Sequence, residues 1–147
     1  SRIPGVALTA DIIVGFPHET EEDFLDTLDV VEKIGFETSF MFMYSPRKGT
    51  AAAKMDGQLD QEVKKERLQR LIDLQNRKSK EASDSYKGKI ERVLVEGPSR
   101  KKDEVLTGRT STNKVVLFAG DKALEGTFVN VKINECKTWS LYGEIVD

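Results

Sequence analysis

The stretch Asp11-Ile-Ile-Val-Gly-Phe-Pro-His-Glu-Thr-Glu-Glu-Asp-Phe24 passes from an apolar run to an acidic one through Gly15-Phe-Pro17. Ala7 to Val14 reads as a fully buried strand, and the residues beyond the glycine turn open a helix. Thr20 suits the N-cap, Asp23 stands at the capping-box position, and Glu21 and Glu22 complement the positive end of the helix dipole. Phe24, Leu25, Leu28, Val31 and Ile34 recur at helical spacing, and Gly35 suits a left-handed stop. Thr38 to Tyr44 is apolar throughout, as a strand covered on both faces requires. Strand, helix, strand is a parallel crossover unit, whose ligands gather at the carboxyl ends of the strands. The loops Gly15–His18 and Ser45–Thr50 are therefore expected on one rim, and the chain is expected to open within a larger α/β layer.

Working outward, a second helix is predicted from an Asp60 cap through Val63, Leu68, Leu71, Ile72 and Gln75 to about Tyr86, with a solvated face dense in Lys and Arg. After Lys87 the pattern changes to short β segments, and six of the eleven glycines fall there. Residues 89–96, 104–109, 115–118, 128–133 and 139–146 are candidate strands, enough for a small closed or partly closed β-barrel. The fold class is α/β followed by all-β, with domains at residues 1–86 and 87–147.

The 147 residues, 38% of them apolar, suffice for one ordinary domain or two small ones. No apolar run approaches the length of roughly 20 residues that spans a bilayer, and residues 1–20 lack a signal-peptide pattern, so the expected location is cytoplasmic. The single Cys136 excludes an internal disulfide and any iron–sulfur or other metal site built from several thiolates of this chain. Residues 1–59 carry 5 basic and 10 acidic side chains, and residues 88–147 carry 10 and 9. A polyanion is thus expected only locally, on the later part.

The carboxylates from Glu19 to Asp23 are explained by the helix dipole, and no catalytic residue is assigned. His18 stands alone in a loop, and Cys136 reads as a small packed hydrophobe. Gly15 either lets a ligand approach a strand end or simply makes a turn. Tyr44, Ser45, Arg47 and Lys48 follow a strand and offer a phenol, a hydroxyl and two cations to a carboxylate or phosphate, although a plain Pro-Gly turn looks similar. In the β segment Arg100, Lys101 and Lys102 form a basic loop, with Arg109, Lys114, Lys132 and Lys137 beyond it. Phe118 and Trp139 offer flat faces. Cations with stacking aromatics suit single-stranded RNA. Against that, Asp103, Glu104 and Glu135 offset the charge, and Trp139 suits a core equally well.

The opening stretch, Phe42-Met-Tyr-Ser-Pro-Arg-Lys-Gly-Thr-Ala-Ala52, Glu62-Val-Lys-Lys-Glu-Arg-Leu68, Val93-Leu-Val-Glu-Gly97, Gly108-Arg-Thr110 and Thr138-Trp-Ser-Leu-Tyr-Gly-Glu144 keep one order along the chain. Together they resemble the C-terminal part of the radical S-adenosylmethionine methylthiotransferases. Arg47-Lys48 and Thr138-Trp-Ser-Leu141 resemble the branch that converts N6-isopentenyladenosine next to the tRNA anticodon to its 2-methylthio derivative. The resemblance implies that residues 1–86 end a radical S-adenosylmethionine (β/α) partial barrel. It further implies that 87–147 form a TRAM domain, a five-stranded β-barrel that binds the tRNA anticodon stem-loop.

By the same resemblance the full protein uses S-adenosylmethionine and two [4Fe–4S] clusters, whose ligands are absent from this chain. The chain alone is then inactive and needs the rest of its polypeptide. Ile13, Val14 and Gly15 become candidate cofactor-side residues, and Tyr44, Ser45 and Arg47 rim residues facing cofactor or substrate. Arg100, Lys101, Lys102, Arg109, Lys114 and Trp139 become candidate RNA contacts. Family members commonly carry Gly where this chain has His18. Two alternatives stand beside this reading: a stand-alone RNA-binding or adapter module, and a methylthiotransferase acting on a ribosomal protein or on threonylcarbamoyl-adenosine tRNA.

Overall fold

A computed structural model describes residues 3–99 and 102–146, with the side chains of 102–104 outside the description. Contacts divide the chain into two compact units, residues 8–78 and residues 79–146 together with the first residues of the chain.

In the first unit β1 (Thr9–Val14) pairs in parallel with β2 (Thr38–Met43), placing Asp11 beside Phe40 and Ile13 beside Phe42. Helix α1 (Glu21–Ile34) connects them. Its capping box is complete, since the Thr20 hydroxyl accepts from the Asp23 backbone N–H and the Asp23 carboxylate accepts from the Thr20 N–H. Gly35 closes the helix at φ 66°. Helix α2 runs from Gln61 to Asp84, across the division between the units. Val14, Phe24, Val31 and Leu71 form the buried core, joined by Ile12, Leu28, Met41 and Leu68.

This arrangement differs from the sequence expectation in three respects. The strands are covered on one face only: Ile12, Val14, Ser39 and Met41 turn toward the core, whereas Ile13 (57% exposed), Phe40 (65%) and Phe42 face outward. The continuous apolar run predicts two covered faces, but this chain supplies helices to one. Leu25 and Ile34, read as part of the buried stripe of α1, are also half-exposed. The basic residues of α2 are not all solvated, because Lys64 and Arg67 are buried with Leu71 and Gln75 at helical spacing.

In the second unit β3 (Ile90–Ser99), β4 (Lys102–Thr110), β5 (Val115–Ala119), β6 (Phe128–Cys136) and β7 (Ser140–Val146) close into a barrel of order β3-β4-β5-β7-β6. All neighbours are antiparallel except β5 and β7. Period-2 alternation sends Val93, Val95, Leu106, Val116, Phe118, Val131, Ile133 and Leu141 inward, with Tyr86 packed against them. Among the described residues, closure leaves this barrel without an unpaired sheet edge.

Candidate functional site

At the carboxyl end of β1 and β2 the chain turns twice. The Gly15 turn is held from behind: its backbone N–H donates to both carboxylate oxygens of Glu19 at 3.0 Å. Glu19 in turn accepts from Arg67 Nη1 at 2.7 Å, and the two side chains are 12% and 6% exposed. Gly15 has φ +77°, and a Cβ there would meet Lys64 Cγ at 2.4 Å. Glycine is therefore required by backbone conformation and by the packing of α2. His18 also adopts φ 66°, which a glycine reaches without strain, and its Nε2 lies 2.8 Å from Asp56 Oδ1.

In front of this turn the two loops meet. The Tyr44 backbone N–H donates to Val14 O at 2.8 Å, and the rings of Phe16 and Tyr44 pack edge to face with centroids 5.2 Å apart. Between them lies an open cavity of about 530 Å³ with apolar walls from Ile13, Phe16 and Phe42 and a polar rim from Tyr44, Ser45 and Arg47. The Tyr44 hydroxyl is buried without a hydrogen-bond partner among the described residues. An orphaned buried hydroxyl is a group that a ligand can satisfy.

Of the residues expected on the cofactor side, Ile13, Tyr44, Ser45 and Arg47 converge on this cavity, and Gly15 forms the turn behind it. Val14 does not reach it: the alternation of β1 sends this side chain into the core beneath the sheet, at 1% exposure. Phe16, Phe42 and Thr50 also line the cavity and were not singled out from sequence, where Phe42 reads only as strand. The acidic run is structural. Glu19 pairs with Arg67, Asp23 completes the cap, and Glu21 pairs with Arg70 at 2.7 Å. The hydrogen bond from Arg70 holds the Glu21 carboxyl below the usual range, and the Thr20 hydroxyl does the same for Asp23.

On the barrel the expected RNA contacts divide. Arg100 and Lys101 lie outside the described residues, as does the Lys102 side chain. Trp139 stands in the bend between β6 and β7 at 55% exposure, not in the core. Arg109 faces outward, with Nε 3.1 Å from Glu96 Oε1. Lys114 corrects the sequence reading: it is buried, and its Nζ donates to Ser83 Oγ at 3.0 Å, so it is no surface cation. Phe118 is likewise a core residue and offers no stacking face. The outward Phe128 and Arg92 were passed over, although their parity opposite Val93, Val95, Val129 and Val131 marks them as external. Among the described residues no group of three His, Cys, Asp or Glu is placed to hold a metal ion, and no helix is long and apolar enough to cross a membrane.

Residues 84–146 match the family model of the TRAM domain. Almost the whole chain is similar to proteins named tRNA-2-methylthio-N(6)-dimethylallyladenosine synthase. Identity is 71% to that of Fusobacterium nucleatum subsp. nucleatum, over 99% of this chain and 34% of the relative. It is 60% to that of Acetivibrio thermocellus, over 99% and 30%, and 56% to that of a Thermoanaerobacter species, over 100% and 31%. The chain thus spans about a third of the length of the curated relatives it matches. The five-stranded barrel lies within the residues that match the TRAM domain model, and the chain as a whole is similar in sequence to about a third of the length of proteins that carry this synthase name.

Proposed function

We propose that this chain is the C-terminal part of a cytoplasmic radical S-adenosylmethionine methylthiotransferase that acts on N6-isopentenyladenosine beside the tRNA anticodon. Residues 1–86 then supply the end of the (β/α) partial barrel, and residues 87–147 the TRAM barrel that holds the anticodon stem-loop. The observation that carries this reading is the open apolar face of β1 and β2, running through Ile13, Phe40 and Phe42 into the cavity at the strand ends. Such a face suits the interior of a sheet that continues through further strands. The similarity to the synthases over almost the whole chain supports it.

The cavity fits S-adenosylmethionine in kind. Ile13, Phe16 and Phe42 offer apolar surface to an adenine ring, and Arg47 offers a guanidinium to a carboxylate or phosphate. The same residues would position the cofactor and shield it from water. An iron–sulfur cluster does not fit this chain, because its one cysteine, Cys136, cannot supply several thiolates. Both clusters of the full enzyme would be held by residues elsewhere in the polypeptide. When bound and reductively cleaved, the cofactor supplies the radical chemistry that exchanges the adenine C2 hydrogen for a methylthio group. An adenine in an anticodon loop is already unpaired, so presenting it costs only a few kcal/mol of unstacking.

The test is made on the full-length polypeptide, with its clusters reconstituted and S-adenosylmethionine and a reductant supplied. Mass spectrometry of isopentenylated tRNA is expected to detect the methylthio product. Arg47→Ala is expected to lower turnover at least ten-fold through lost positioning, and the isolated chain is expected to be inactive. Product only on ribosomal protein or on threonylcarbamoyl-adenosine tRNA would overturn the substrate assignment. No product on any of the three would leave a binding module.

A further inference from the structure

On the outer surface of the barrel, strand register brings aromatic, cationic and amide groups into line. Phe128 on β6 pairs with Leu94 on β3, and Leu94 pairs with Arg109 on β4, so the three outward side chains form a row across the sheet. Phe128 is 56% exposed and Leu94 is exposed beside it. Arg92, two residues before Leu94 on the same face, places its guanidinium 4.2 Å from the centre of the Phe128 ring. A shallow cavity of about 370 Å³ lies over this row, and Asn113 with the neighbouring hairpin residues forms its far wall.

The two arginines are held differently. Arg109 is fixed: Nε donates to Glu96 Oε1, and Nη1 donates to the Asn113 backbone and side-chain oxygens at 3.3 and 3.0 Å. Its Nη2 has no partner among the described residues. Arg92 makes its ring contact and no ion pair with any described carboxylate, so its charge is not offset locally. Glu96, the carboxylate lining the same cavity, is already engaged by Arg109.

We propose that Arg92, Phe128, Leu94 and Arg109 form a stacking platform for one unpaired nucleotide of a bound RNA. The base lies on the Phe128 ring and the Arg92 plane, and Arg109 Nη2 takes the adjoining phosphate. The chemistry favours a nucleotide over a protein side chain. A ring flanked by a planar cation, a fixed guanidinium and an amide combines flat surface, phosphate donors and polar edge groups within one small cavity. A protein interface would call for a larger closed apolar patch around the aromatic. The platform rests on the RNA-binding reading above. It does not draw on Arg100, Lys101 or Lys102, and it uses two residues, Arg92 and Phe128, not expected from the sequence.

The experiment measures binding of the 147-residue chain to a fluorescein-labelled RNA hairpin with an unpaired loop, and to a blunt duplex of the same stem, across a salt series. Wild type is expected to prefer the hairpin. Phe128→Ala is expected to weaken hairpin binding about ten-fold, as loss of one base stack does, and to leave duplex binding unchanged. Phe128→Trp keeps a flat face and is expected to retain hairpin affinity. Arg109→Gln is expected to weaken binding and to reduce the magnitude of the salt slope by about 0.7, as loss of one phosphate contact on a single strand does. If Phe128→Ala and Arg109→Gln both bind the hairpin as wild type does, with an unchanged slope, the platform is wrong while RNA binding stands. If wild type binds neither RNA, the RNA reading of the barrel itself falls.

Discussion

Arg67 Nη1 lies 2.7 Å from Glu19 Oε1, and both side chains are almost wholly shielded from solvent. The pair joins α2 to the turn after β1, and the other bonds of the Glu19 carboxylate hold the Gly15 N–H. Removing one partner strands the other charge in a poorly solvated place. Arg67→Leu is expected to cost about 3 kcal/mol or more, read as a lowered urea midpoint with an unchanged slope. A loss near zero would mean that the pair is solvated in solution.

Gly15→Ala tests the turn itself. The left-handed backbone costs a non-glycine residue about 1–2 kcal/mol, and the new methyl would overlap the Lys64 stem. The variant is expected to be destabilised by more than the backbone cost alone. Adding Lys64→Ala is expected to relieve the steric share, and simple additivity of the two changes would contradict that coupling.

The outward face of the two-stranded sheet predicts behaviour unlike that of a core. Phe40→Glu is expected to change the stability of this chain by no more than about 0.5 kcal/mol, while lowering self-association and the binding of hydrophobic dyes. In the longer polypeptide proposed above, where further strands would cover this face, the same substitution is expected to abolish folding of the α/β part. A large destabilisation of the 147-residue chain would show that Phe40 is packed within it.

The ion pairs between the helices give an acid limb. Hydrogen bonds from Arg70 and Arg77 hold the Glu21 and Glu32 carboxyls below their ordinary value. A depressed carboxyl contributes stability that is fully present above its unfolded pKa, about 4.3 for glutamate. That contribution is lost as pH falls through the folded value. Thermal melts are expected to fall below about pH 4, and the double variant Glu21→Gln, Glu32→Gln is expected to flatten that fall. An unchanged acid limb would assign it to other carboxylates.

Cys136 is half-buried, and burial pushes its thiol pKa up. Reaction with a disulfide reagent near pH 8 is expected to be slower than that of a free cysteine, and to reach the free rate on unfolding in urea. Equal rates in the folded chain would place the sulfur at the surface.

The order of elements was legible because each carries its own local signal. The cap at Thr20 and Asp23, the stop at Gly35 and the alternation around Val93 and Val95 act over a few residues, and the structure realises each of them. The rim cavity was legible through Ile13, Tyr44, Ser45 and Arg47, since parallel strands place their carboxyl-end loops together. The inward turn of the Val14 side chain was not legible, because the residues of a strand alternate between faces and the apolar run does not show which face the helices cover. Lys114 and Phe118 were misassigned for a related reason: residue type names a chemistry, but barrel closure decides which side chains point inward.

By itself, then, the sequence determined the elements, their order and the chemical character of the two surfaces, all of which depend on short-range pattern. Tertiary structure alone decided that Glu19 meets Arg67 across 48 residues, and that Phe128, Leu94 and Arg109 stand in one row. Those pairings depend on helix packing and strand register, which bring together residues far apart in the chain and leave no mark in the spacing of either partner alone.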